Sequence, residues 1–189
     1  MLRTIRTLVV PAALAMMLTL PLHAQVAGSL TADLVKDLSQ VESKLVGLAK
    51  AMTADQYKWR PGEGVRSVGE VFLHVAADNY FLPAAMGMAA PASTGITGDE
   101  YTAVMAFEKQ QLGRDAIIAQ LESSFAHLKK SLGEMPRERM RESVSVFGQN
   151  FTMRAFMILA TTHVHEHLGQ MIAYARTNGV VPPWSAGGN

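Results

Sequence analysis

Two histidines one helical turn apart, His163 and His167, are the residues of this 189-residue chain best placed to do chemistry. Their i,i+4 spacing puts both imidazoles on one face of a helix. That face is largely apolar, its row reading Phe156, Leu159, His163, His167, Gln170 and Tyr174. A neutral imidazole in such surroundings needs partners for both ring nitrogens, and two in succession double the requirement. One shared divalent ion meets it, because histidines on adjacent turns can reach the same ion. A pair of core histidines bonded to carbonyls and water meets it too, and spacing alone leaves the two readings level. His165-Glu166-His167 is not the zinc-protease motif, which needs a histidine where Gly169 stands. His165 itself lies about 200° around the helix from His163, a surface position.

A third ligand would have to come from another helix. His74 is the other histidine inside a strongly apolar helix, in Val71-Phe72-Leu73-His74-Val75-Ala76. His127 sits among Gln120, Ser124 and Ser131 and reads as a solvated surface residue. Three neutral imidazoles would leave one metal position for water or substrate, as catalytic zinc sites do. Asp78, one turn beyond His74, could orient a ligand or act as a base, but an ordinary solvated carboxylate is the simpler reading. Gln170 and Tyr174 continue the histidine face, where helix packing accounts for them equally well. Trp59 reads as a packing residue, and Gly169 as a point of close helix approach.

Four helices must position these groups. The first spans about Ser29 to Met52, with Leu30, Leu34, Leu38, Val41, Leu45, Leu48 and Met52 forming a narrow stripe. Pro61, Gly62 and Gly64 mark the connection that follows. Ser67 and Glu70 form a capping box that opens the second helix, and Pro83 should kink or end it. Residues 84 to 112 are ambiguous, a long loop with a short helix around Ala103 to Gln110. The third helix starts near Asp115 and ends at Gly133 and Pro136, and the fourth runs from about Thr152 to Gly179. A short extended piece at Val144 to Phe147 lies between them. The sum is an all-α protein, a four-helix bundle of up-and-down or crossover connection.

Composition narrows the function. Apolar residues make up 49% and charged residues 17%, a globular balance. Residues 1–24 read as a secretory signal, with Arg3 and Arg6 before the uncharged run Leu8 to Leu22 and a small residue, Ala24, at the cut site. That run is shorter than the roughly 20 residues that span a bilayer, and a retained anchor is the rival reading. Cleavage leaves residues 25–189 with a net charge of −1. Such a chain has no electrostatic case for nucleic acid or for an anionic membrane surface, and no stable membrane insertion is expected after cleavage. Cysteine is absent, so thiolate metal sites and cysteine nucleophiles are excluded.

The segment His163-x-x-x-His167-Leu168-Gly169-Gln170, with Tyr174 and Arg176 beyond it, resembles the last helix of the DinB/YfiT-like superfamily. Trp59-Arg60-Pro61, Ser67-Val68-Gly69-Glu70-Val71 and His74 are similar to that family's second-helix signature, and Pro182-Pro183-Trp184 to its ending. The resemblance covers roughly residues 29 to 185. It implies a four-helix bundle, a site for zinc, nickel or a similar ion, and frequent homodimers. It carries the metal-ligand role to His74, His163 and His167, and so tips the balance against core histidines. Characterised relatives include transferases for low-molecular-weight thiols and a mycothiol-dependent isomerase, while many members have no known reaction. The export signal departs from the cytosolic pattern and argues against a cytosolic thiol cosubstrate.

Three functional readings follow. The first is a metal-dependent hydrolase or transferase acting on a small molecule in the periplasm or outside the cell. The second is a non-catalytic metal-binding or stress-associated protein, and the third an interaction module with no chemistry. Exchangeable water on the metal favours the first, and a fourth protein ligand the second. Histidines saturated by protein hydrogen bonds favour the third.

Overall fold

The computed structural model describes residues 29–187, so the expected signal and its cut site lie outside the described residues. Four long helices build the bundle: α1 (Leu30–Ala51), α2 (Val68–Ala85), α4 (Arg114–Gly133) and α5 (Met153–Thr177). A short helix, α3 (Thr102–Glu108), and a hairpin of β1 (Ser143–Val146) and β2 (Gln149–Thr152) fill two of the connections. Helix α1 packs on α4 and α5, and α2 packs on the same two. Consecutive α1 and α2 therefore occupy opposite corners, which a simple up-and-down bundle never does.

Local chemistry starts and stops these helices. The Ser29 hydroxyl accepts from the Ala32 amide, and Thr152 does the same for Ala155. The capping box at α2 is complete: Ser67 N–H donates to Glu70 Oε2 at 2.6 Å, and Glu70 N–H donates to Ser67 Oγ at 3.3 Å. Helix α2 runs two residues past Pro83, because the ring removes one hydrogen bond near an end where few are left to lose. Gly179, at φ +73°, closes α5 in the left-handed conformation, at the position where the sequence ends that helix.

Fifteen of the eighteen residues of α2 are buried, so it is the central helix and has no solvent face. Its neighbours supply Leu38, Leu45 and Leu48 from α1, Leu121, Phe125 and Leu128 from α4, and Phe156, Met157 and Met171 from α5. The extended piece expected at Val144 to Phe147 is one arm of a two-stranded antiparallel hairpin, with Val144 paired to Phe151 and Val146 to Gln149. Val144 and Val146 point into the core and hold the hairpin against the bundle. Gly169 corrects the sequence reading: it is exposed, with nothing near enough to meet a side chain there. The tight glycine is Gly98, where a Cβ would run into the Ala84 carbonyl, so the loop before α3 closes directly onto the end of α2. No helix among the described residues is long and apolar enough to cross a membrane.

Candidate metal centre

His74 from α2 and His163 and His167 from α5 meet in one cluster, with one ring nitrogen from each within 4.8 Å of the others. Nε2 of His163 lies 3.3 Å from Nε2 of His74 and 3.1 Å from Nε2 of His167. The outer nitrogens of two rings are already committed. His74 Nδ1 is 2.6 Å from Glu108 Oε1, and His167 Nδ1 is 2.8 Å from Gln170 Oε1. A carboxylate or an amide oxygen only accepts, so both Nδ1 atoms must carry the proton. Nε2 of His74 and of His167 are then bare lone pairs aimed into the same small space.

With the His163 proton on Nδ1, its Nε2 adds a third lone pair 3.3 and 3.1 Å from the other two, and three lone pairs so placed repel unless a cation lies between them. Donors 2.0–2.1 Å from a tetrahedral ion stand about 3.3–3.4 Å apart, close to the separations seen. The donor set therefore fits a divalent ion, with the outward hydrogen bonds that fix imidazole ligands in metal sites. His163 is less fully held: its buried Nδ1 finds no hydrogen-bond partner among the described residues. Burial, with a smaller push from His163 and His74, takes His167 down to about 4, so the ring stays neutral and free to bind metal well below pH 7.

The surroundings hold the cluster from several elements. Glu108, at the end of α3, accepts from Arg66 at 2.9 Å as well as from His74. Burial acts to raise Glu108, but the bonds from His74 and Arg66 outweigh it and keep the carboxyl below its ordinary value. Gln170 Nε2 donates to the Tyr174 hydroxyl at 3.1 Å, which reaches the Arg66 carbonyl at 3.4 Å. The Trp59 ring meets Tyr174 edge-on at 5.2 Å, the packing role expected of it. Gln170 and Tyr174 are thus a brace for His167 as well as packing residues.

Asp78 corrects the sequence reading. It is 5% exposed, not solvated, and its Oδ2 lies 3.1 Å from Nε2 of His163 and 3.5 Å from Nε2 of His74. The Tyr101 hydroxyl donates to its other oxygen at 3.4 Å. His127 is also corrected: it is half-buried at the α2–α4 interface, tilted against Tyr80 with ring centroids 5.5 Å apart. It is far from a free surface histidine, yet it takes no part in the cluster. His165 is exposed as expected and pairs with Asp37 on α1 at 2.6 Å. Glu108 and Tyr101 were missed, since both lie in the stretch without a clear period. A lone acid and a lone tyrosine flanking a short helix carry no signal of their own.

A family model for the DinB superfamily matches residues 37–171. The chain belongs to the DinB superfamily. Among solved structures, YfiT from Bacillus subtilis is described as "a probable metal-dependent hydrolase with an unusual four-helix bundle topology". It is 15% identical with a TM-score of 0.61, over 80% of this chain and 89% of that one. A DinB-like protein from Bacillus cereus ATCC 10987 is 14% identical with a TM-score of 0.65, over 79% and 93%. A mutant of the mycothiol-dependent maleylpyruvate isomerase is 14% identical with a TM-score of 0.56, over 82% and 63%. No curated protein matches the sequence. At these identities the likeness shows the fold alone, and a protein described as a probable hydrolase shares that fold with an isomerase, so the reaction has to be argued from the site.

Proposed function

We propose that this DinB-superfamily protein binds one divalent ion, zinc or nickel, through Nε2 of His74, His163 and His167, and uses it to hydrolyse or transfer a group on a small molecule. The observation that carries the reading is the pair of Nδ1 atoms committed outward to Glu108 and Gln170, which leaves bare nitrogens facing one another. A bound ion would polarise a substrate oxygen or acidify water at neutral pH. The protein's own groups supply the rest. Glu108 and Gln170 hold two rings in the ligating tautomer. Asp78, beside two of the ligating nitrogens, is the carboxylate placed to take up a proton there. Zinc and nickel titrations into chelator-treated protein test the site, and metal analysis of protein from its native compartment tests the ion. No binding by either metal would sink the proposal.

A second reading rests on Asp78 as well. With Oδ2 3.1 and 3.5 Å from two of the nitrogens, it could be a fourth ligand that closes the site and leaves a metal-binding protein without chemistry. X-ray absorption on the zinc form separates the two, because a fourth protein oxygen persists when exchangeable water is displaced by a small anion. The signal-like residues 1–24 support export to the periplasm or beyond, with Gln25 as the mature start. N-terminal sequencing of exported protein checks this, and intact Met1 in a membrane fraction would refute it. A homodimer fits the family pattern, and light scattering of the mature chain measures it.

A further inference from the structure

The hairpin turn carries a residue that local chemistry does not call for. Val146 pairs with Gln149, so Phe147 and Gly148 make a two-residue turn, at φ +54° and +74°. Two positive φ values define a type I′ turn, whose first position favours Asn, Asp or Gly. Phe147 is the one described residue other than glycine with positive φ, and the residue is 64% exposed. A large aromatic held in a strained conformation and shown to solvent is unfavourable twice over, and such strain concentrates at functional positions.

Its neighbours say what it faces. The Phe147 ring lies 5.3 Å from Tyr101 and 5.7 Å from Phe81, and those two rings lie 5.3 Å apart, so the three pack on one another. Tyr101 links this group to the metal centre, since its hydroxyl donates to Asp78, which touches His163 and His74. Tyr101 also stands at the N-cap of α3 without making a capping bond, a position that Ser or Asp would serve better. Both aromatic choices go against local preference, and a chain of contacts runs from exposed Phe147 through Tyr101 and Asp78 to His163 and His74.

We infer that Phe147 and Tyr101 form an aromatic wall beside the metal centre, and that Phe147 selects substrates carrying a flat aromatic group next to the polar head that meets the metal. The inference rests on the metal reading above. The exposed part of Phe147 offers the tilted or offset contact that aromatic groups prefer, while the Tyr101 hydroxyl fixes the polar end of the wall.

The test uses two metal-binding probes with the same head, benzohydroxamate and acetohydroxamate, titrated calorimetrically into the zinc-loaded mature protein. Wild type is expected to bind the aromatic probe about tenfold more tightly. Phe147→Asn, which installs a favoured turn residue, is expected to erase that preference and to leave acetohydroxamate affinity unchanged. The unchanged affinity shows that fold and metal survive, and a merely structural Phe147 would not move the ratio. A preference that persists in Phe147→Asn, or is absent from wild type, overturns the inference while the metal reading stands. If zinc-loaded wild type bound neither probe, the open metal position would fail and take the inference with it.

Discussion

Helix α2 presents polar groups to two neighbours, and the two interfaces resolve them in opposite ways. Toward α4, Asn79 donates to the Ser124 hydroxyl at 3.1 Å, and Ser124 donates to the Leu121 carbonyl at 2.8 Å. His127 rests against Tyr80 in the same interface. These are neutral groups that ease one another's burial in pairs, leaving one Asn79 oxygen and one His127 nitrogen without a partner among the described residues. Toward α5, the hydrogen bonds point outward from the cluster, and the ring nitrogens are left facing one another. Burial alone therefore does not mark a ligand. His127 and His167 are both half-buried histidines pushed down chiefly by burial, yet only His167 converges with others.

The largest effects should fall on one side of that comparison. His163→Ala or His167→Ala removes a nitrogen of the proposed metal site and is expected to weaken zinc binding by more than about 100-fold, beyond the range seen for outer partners. His127→Ala is expected to leave zinc affinity unchanged. Calorimetric titration of the three variants measures this, and equal losses would erase the distinction between the interfaces.

Glu108→Gln should come next. It keeps the shape at His74 but removes the charge that fixes the Nδ1 proton, and zinc affinity is expected to fall about 10- to 100-fold. Gln170→Ala should act in the same direction through His167, without the added loss of a charge. If neither variant changed affinity, the outward hydrogen bonds would be packing only.

The pH dependence sharpens the same contrast. His167 in the folded protein sits at about 4, below its ordinary 6.5, so the unfolded chain takes up the proton first. Its contribution to stability is complete above about pH 6.5 and is lost as pH falls toward 4. His127, lowered by burial and then by Lys130, acts in the same direction. Urea unfolding of metal-free protein at pH 7, 5.5 and 4 should show the decline, and His127→Ala should remove its share. Saturating zinc should steepen the fall, because the ligating imidazoles must shed their protons to bind. A zinc-loaded protein equally stable from pH 7 to pH 4 would mean that the histidines do not hold the ion.

How much of this could be read beforehand depended on whether the signal was local. The Ser67–Glu70 capping box, the Gly179 stop and the i,i+4 pair His163 and His167 are each carried by a few neighbouring residues, and all three appear where expected. Asp78 was misjudged although a signal existed. Helix α2 is apolar all round, as Val71 to Ala77 and Tyr80 to Pro83 show, and a helix without a polar face buries whatever carboxylate it carries. Glu108, Tyr101 and Phe147 had no such signal. Their positions are set by α3 folding over α2 and by the hairpin closing on Phe81, contacts between residues distant in sequence. The supports of the cluster were therefore less legible than its three histidines.

Asn79→Ala tests the α4 side of the comparison. Asn79 is fully buried and loses its bond to Ser124, so a cost of about 1–2 kcal/mol in urea unfolding is expected, with zinc affinity unchanged. A drop in zinc affinity there would show that the two interfaces are coupled through α2.

The smallest effect should come from His165, two residues from His163 on the same helix. It faces α1 and pairs with Asp37 at 2.6 Å, but both side chains are nearly half exposed. Exposed pairs contribute only about 0–1 kcal/mol, since water screens the charges and two side chains must be held in one geometry. His165→Ala is therefore expected to shift urea unfolding by less than about 1 kcal/mol and to leave the zinc titration superimposable on wild type. His163→Ala, measured beside it, should lose the metal. The pair isolates helix face as the deciding variable, because residue type, helix and neighbouring sequence are otherwise shared. If His165→Ala lost zinc while His163→Ala kept it, the ligating face of α5 would be the opposite one, and the cluster with His74 could not be the metal centre.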